Sequence, residues 1–370
     1  MKWRSRRVSI GALIFLACLG LISIALVEFS TIRVKKSHFD AKVEASNLAF
    51  KGAQVIRNYE LGEQIIIDPV VDPNATGLIG EQFTLITTDR GSLTSKLTTT
   101  NPNWAAVVVD MLKEVGVEQG DLVAIGYTGS MPALNLATLC ALETIGAKPV
   151  IIASVGASMW GANNPEFAWL DMEKKLYDSG IISFKSVASS IGGRGDRGGN
   201  VSPQGRELIR EIIQRNDVIL IEEATLDNSV QRRMEIYNDN LPKGKQYSAY
   251  INIGGGLASI GSFQNFVMVK AGITEKLPVG NYPLKGTMIR MAENGTPVIN
   301  LTDIRLLAKR YGLPVAPEPL PDIPHGEVYF EKRYRMPLVI AVLSIYLILV
   351  FVVIRVDLKS FILKKPSHKK

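Results

Sequence analysis

Histidine and cysteine are nearly missing from this chain of 370 residues, which holds three of the first and two of the second. Cys18 lies inside a long apolar run, so Cys140 is the only cysteine of the soluble part. No disulfide can form there, and the fold has to rest on a buried core. His38 and His325 fall near the two ends of the soluble part, away from the strand ends where α/β sheets build clefts. That placement argues against a histidine-rich metal site and a Ser-His-Asp triad, and no metal is expected. The phosphate loop Gly-x-x-x-x-Gly-Lys-Ser/Thr does not occur, and Ser92 and Lys96 miss the Ser-x-x-Lys spacing. Neither an NTPase nor an enzyme of that Ser-Lys class is indicated, and no cofactor is expected.

Charge is absent from two long stretches, 8–27 and 336–354. About twenty apolar residues at 1.5 Å each cross a bilayer core, so both read as transmembrane helices. The first is too long for a signal-peptide core and ends in no small-x-small site, so it reads as a retained anchor. Phe15-Leu16-Ala17 ahead of Cys18 is not a lipobox. Basic residues crowd the tails 1–7 and 355–370, more than they do the inner flanks. By the positive-inside rule both termini are cytoplasmic, and the segment between the helices lies outside the cytoplasm.

The formal charge of +7 would suit nucleic acid, but its distribution does not. Without the ten basic residues of the tails and Asp357, 42 basic and 35 acidic residues fall to 32 and 34. The outer part is nearly neutral, no nucleic acid is expected, and the tails are suited to anionic lipid headgroups.

Residues 28–63 read as a juxtamembrane helical stalk with Phe39, Val43 and Phe50 on one stripe. From 64 to 313, short apolar runs alternate with helical ones, the pattern of an α/β, Rossmann-like domain with a mostly parallel sheet covered by helices. Its clearest unit is the strand Leu122–Ile125, a helix from Pro132 to Ile145 with Gly146 just past its end, and the strand Lys148–Ile152. Further strands are expected near Ile181 and over Val218–Ile221, Ser248–Ile253 and Pro297–Asn300, with helices over Glu166–Tyr177, Pro203–Arg215, Ser229–Asn238, Leu284–Glu293 and Asp303–Tyr311. The Pro-rich stretch 314–335 reads as an extended connector.

Three glycine-containing turns are candidate ligand sites. Gly126-Tyr-Thr-Gly-Ser130-Met-Pro132 leads from a strand into a helix, where free backbone N–H groups with the Thr128 and Ser130 hydroxyls suit a carboxylate or phosphate. Gly126, Thr128, Gly129 and Ser130 are its candidates, and simple helix capping by Ser130 is the alternative. Gly254, Gly255, Gly256 and Ser259 form a second such turn. Ser259 stands where a dinucleotide fingerprint requires its third glycine, so NAD is not indicated and an anion-binding turn facing the first is preferred. In the loop Ile191–Gly199, Arg194 and Arg197 are candidates to clamp carboxylates, against the alternative of a solvated loop before a helix capped by Ser202. Glu222, Glu223, Asp227, Asp171 and Glu173 carry no pattern that separates catalysis from solvation.

The segments Gly120-Asp-Leu-Val-Ala-Ile-Gly-Tyr-Thr-Gly-Ser-Met-Pro-Ala-Leu-Asn135 and Gly156-Ala-Ser-Met-Trp-Gly-Ala-Asn-Asn-Pro-Glu166, with the flanking apolar helices, resemble the poly-γ-glutamate system protein family. The resemblance implies a membrane-anchored component of bacterial poly-γ-glutamate synthesis and export, a capsular or secreted polyanion. Its partners would be the lipid bilayer, the membrane and ligase components of that system, and the anionic polymer. ATP-dependent ligation would belong to a separate cytoplasmic ligase, leaving this protein a non-catalytic role in contact with polymer or membrane partners. Two alternatives stay open: an extracytoplasmic enzyme that cleaves, transfers or modifies the polymer, and a sensor domain for a small anionic ligand.

Overall fold

A computed structural model describes residues 10–355, and the chain divides into two units: one made of both ends up to Lys36 and from Phe330, the other Ser37–Tyr329. The basic tails 1–7 and 355–370 lie outside the described residues apart from Arg355. In the first unit, helices Ile10–Phe29 and Met336–Arg355 are both long and apolar enough to cross a bilayer. They pack on each other, with Gly20 leaving room for the Tyr346 ring. Strands Ile32–Lys35 and Phe330–Arg333 pair antiparallel, and Arg33 lies over the Phe330 ring at 3.9 Å.

The second unit is a mixed α/β domain built on a seven-stranded sheet. In chain order its strands are β1 (Leu122–Thr128), β2 (Lys148–Ser154), β3 (Ala188–Ser190), β4 (Ile219–Ile221), β5 (Ala249–Ile253), β6 (Gly272–Thr274) and β7 (Val298–Leu301). Across the sheet they run β6-β7-β5-β1-β2-β3-β4, all parallel except the edge strand β6. From β1 the chain winds outward through β2 to β4 and then returns to the other side of β1 with β5. The order therefore reverses between β1 and β5.

Both faces of the sheet are covered, which is why its central strands are apolar throughout rather than alternating. One face packs Ala124, Ile152, Tyr250 and Val298 against helices Leu226–Asp239 and Thr287–Glu293. Helix Pro132–Ile145 begins with Pro at N1 and stops at Gly146, whose φ of 74° is the left-handed cap glycine supplies freely.

The helix expected in the stalk is present at Phe39–Gly62, but it belongs to the domain core. Its buried stripe is Lys42, Ala45, Ser46, Ala49, Gly52 and Ile56, while Phe50 of the expected stripe is 45% exposed. Small residues let this helix sit close to its neighbours. A Cβ on Gly52 would lie 2.7 Å from Leu136 Cδ1. The connector likewise divides, because 314–329 is held on the domain. The Asn103 carboxamide donates to the Asp322 carbonyl (3.1 Å) and accepts from His325 N–H (3.1 Å) and the Tyr329 hydroxyl (2.8 Å). Lys42 donates to the Val328 carbonyl (3.0 Å) and pairs with Asp110, and Ser46 shares a hydroxyl hydrogen bond with Tyr329 (2.6 Å). These contacts clasp the first helix of the domain to its last residues.

No strand forms at Ile181. Helix Trp169–Asp178 ends through Gly180 (φ 69°), and the Ile181 N–H returns to the Leu176 carbonyl at 3.0 Å, closing the helix instead. The strand in that part of the chain is β3, made of Ala188, Ser189 and Ser190. The helix expected from Leu284 starts at Thr287, and strand β6 has no counterpart in the sequence expectations.

Candidate functional site

The carboxyl ends of β1, β2, β3, β5 and β7 open into one cleft of about 790 Å³ at the point where the strand order reverses. It collects Thr128 and Ser130 from the turn after β1, Gly254, Gly255 and Gly256 from the turn after β5, and Arg194 from the loop after β3. The two glycine turns expected to face one another do so. Four basic side chains (Arg90, Lys96, Arg194 and Arg305) line the cleft against two acidic ones (Asp89 and Asp303).

Four of the sequence candidates are placed elsewhere. Gly126 is inside the sheet, where a Cβ would collide with the Tyr250 hydroxyl, and Gly129 packs against the Val155 carbonyl. Ser259 is buried and shares a hydrogen bond with Tyr250 Oη (2.8 Å), so it braces the turn from beneath. Arg197 points its guanidinium at the Ala224 carbonyl (2.8 Å). Of the two arginines, Arg194 lines the cleft and Arg197 does not.

The loop carrying Arg194 is anchored through Asp196, one of the two residues between the arginines. Asp196 is buried with φ 61° and pairs with Arg233 at 3.0 Å; the two side chains are 3% and 4% exposed. Its oxygens also accept from Ser190 Oγ (2.7 Å) and Ser229 Oγ (2.5 Å). Ser202 caps the next helix as expected, accepting from Gly205 N–H at 3.0 Å.

Ser130 does not cap its helix. The N-cap is Met131, which offers no side-chain bond, while Ser130 Oγ accepts from the Ser158 N–H at 3.0 Å. Ser158 belongs to the short strand Ala157–Ser158, paired in parallel with Thr87–Asp89. Beside these serines lies Lys96, 3% exposed, on helix Leu93–Thr99. Its Nζ donates to the Ser130 carbonyl and lies 2.9 Å from Ser158 Oγ. Among the described residues no carboxylate pairs with it. Burial, with no compensating anion, pulls the ammonium down to about 7. Ser158, Arg90 and Arg305 were not singled out by sequence reasoning, and Lys96 was weighed only with Ser92 against the Ser-x-x-Lys spacing. Ser158 does lie inside the second segment that carries the family resemblance, and Ser130 inside the first.

The carboxylates sort by their contacts. Glu222 pairs with Arg210, Asp227 with Arg290 and Asp171 with Arg215, all at partly exposed positions. Glu173 is buried beneath the sheet, accepting from the Tyr127 hydroxyl and from Ser186 N–H (2.9 Å), and burial raises its carboxyl above the usual range. None of them lines the cleft.

The fold and cleft together define an α/β domain with a ligand-type crevice at a topological switch point. Comparison of the chain with known protein families, with curated proteins and with solved structures finds no match.

Proposed function

We propose that this chain is a two-pass membrane protein of a poly-γ-glutamate synthesis and export system, and that its Rossmann-like domain binds the carboxylate-bearing polymer outside the cytoplasm. The observation that carries the binding assignment is the convergence of Thr128, Ser130, Gly254–Gly256 and Arg194 in one cleft with an excess of basic side chains. Backbone N–H groups in glycine turns and exposed guanidinium groups both favour carboxylates. The pathway rests on the resemblance of 120–135 and 156–166, and the partners are accordingly the membrane and ligase components of that system, without a cofactor. The orientation rests on the basic tails.

Titration calorimetry of the full chain in nanodiscs tests the assignment. Poly-γ-glutamate is expected to bind and a neutral polymer of similar length not to, with affinity falling as salt is raised and on Arg194→Ser. Equal binding of the neutral polymer refutes it. A cleft of this volume also suits a small ligand. Saturable binding of monomeric glutamate with none of the polymer would select the sensor alternative. Reporter fusions test the orientation: an enzyme active only outside the cytoplasm should be silent at either terminus and active when inserted in the central domain.

A further inference from the structure

We propose that Ser158 and Lys96 form a nucleophile and general-base pair that performs acyl transfer on an amide lying in the cleft. That the amide belongs to a carboxylate-bearing polyamide rests on the function proposed above; the pair itself rests on geometry alone. Ser158 Oγ is 2.9 Å from Lys96 Nζ, within the reach required for direct proton transfer. Both residues line the cleft, so a substrate carbonyl has access to the hydroxyl. The lysine is 3% exposed and, among the described residues, lacks the carboxylate that a buried structural lysine ordinarily acquires.

The surrounding contacts orient the pair. One Nζ–H is directed to the Ser130 carbonyl, which in the neutral amine leaves the lone pair for the Ser158 hydroxyl. Ser130 Oγ accepts the Ser158 N–H, and Met159 N–H is held by the Asp89 carbonyl at 3.0 Å, so the backbone presenting the nucleophile is fixed on both sides. Ser130 is thus a positioning residue. Its own hydroxyl is not bonded to the lysine, which is why Ser158 is assigned the attack.

The chemistry balances with water as co-reactant. Lys96 Nζ takes the Ser158 proton while Oγ bonds to the carbonyl carbon. The carbon–nitrogen bond then breaks, the leaving amine receives the proton from Lys96, and an ester remains on Ser158. Water, deprotonated by Lys96, attacks that ester, and the proton returns to Ser158 Oγ. The products are an acid and an amine, with one water consumed. An amine acceptor in place of water gives transfer instead of hydrolysis.

Incubation of the full chain with p-nitrophenyl acetate, followed by peptide mass spectrometry and nitrophenolate release, tests the pair without requiring the polymer. Acetylation at Ser158 is expected, lost in Ser158→Ala, with a rate that rises with pH through the region near neutrality. Lys96→Arg keeps a cation but cannot act as base, and should slow acetylation about a hundredfold or more; circular dichroism on the same sample establishes that it is folded. Absence of label at Ser158, or labelling unaffected in folded Lys96→Arg, overturns the proposal. Calorimetry with poly-γ-glutamate is scored separately. Labelling without polymer binding would refute the polymer assignment and leave the pair standing, and binding without labelling would do the reverse.

Discussion

Replacing Arg233 with Met removes the guanidinium that faces Asp196 and leaves a carboxylate 3% exposed without its counter-charge. Breaking a buried pair by deleting one partner costs about 3 to 5 kcal/mol, most of it the desolvation of the survivor. Three hydroxyls soften that cost: Ser190 and Ser229 remain bonded to Asp196 at 2.7 and 2.5 Å, and Ser154 lies 3.4 Å away. A value near the lower end, about 3 kcal/mol, is therefore expected. Equilibrium urea unfolding of the detergent-solubilised chain, followed by near-ultraviolet circular dichroism, measures it. The double variant Arg233→Met, Asp196→Asn removes the orphaned charge and should recover part of the loss, as a double-mutant cycle makes explicit. Since Asp196 anchors the loop bearing Arg194, the single variant should also weaken polymer binding even where it remains folded. A single variant within about 1 kcal/mol of the parent would refute the assignment of the pair as a buried, charged anchor.

Further outcomes follow from other sites. Lys42→Met orphans the Val328 carbonyl and the partly exposed Asp110, so a smaller loss of about 1 to 3 kcal/mol is expected in the same unfolding assay. Burial, and then the neighbouring Asp72, push the Glu60 carboxyl up to about 8 from 4.5. The folded state then holds the proton more tightly than the unfolded one, so this group's contribution is full below about pH 4.5 and is lost as pH rises toward about 8, with a slope of at most about 1.4 kcal/mol per pH unit. Glu60→Gln should flatten that decline in unfolding curves taken at several pH values. Cys140 is fully buried and burial raises its thiol pKa, so maleimide should modify it only after denaturation, and no reducible intrachain species should appear on gels.

The crossover unit from β1 to β2 was legible because its signals are local: an apolar strand, Pro132 at N1, Gly146 at the cap and a second apolar strand. Parts of the two glycine turns, Thr128 with Ser130 and Gly254–Gly256, line one cleft because both follow neighbouring parallel strands. Strand β3 escaped because Ser189 and Ser190 look like loop residues; the Ser190 hydroxyl is satisfied by Asp196 and Arg233, which no local pattern reveals. The helix Phe39–Gly62 shows the opposite error. Large apolar residues suggested the buried stripe, whereas Ala45, Ala49 and Gly52 are buried because close helix approach selects small side chains. Lys96 was hardest to place: the sequence offers Ser92 as its neighbour, whereas its partners lie 34 and 62 residues away.

The clasp between helix Phe39–Gly62 and residues 314–329 has a mechanical consequence. Lys42, Ser46 and Asn103 tie together the two places where the chain enters and leaves the domain. A pull that separates the flanking segments meets the ladder between Ile32–Lys35 and Phe330–Arg333 first, and these bonds behind it. The domain is thus a closed loop inserted into the chain, its first helix and last residues joined by its own hydrogen bonds.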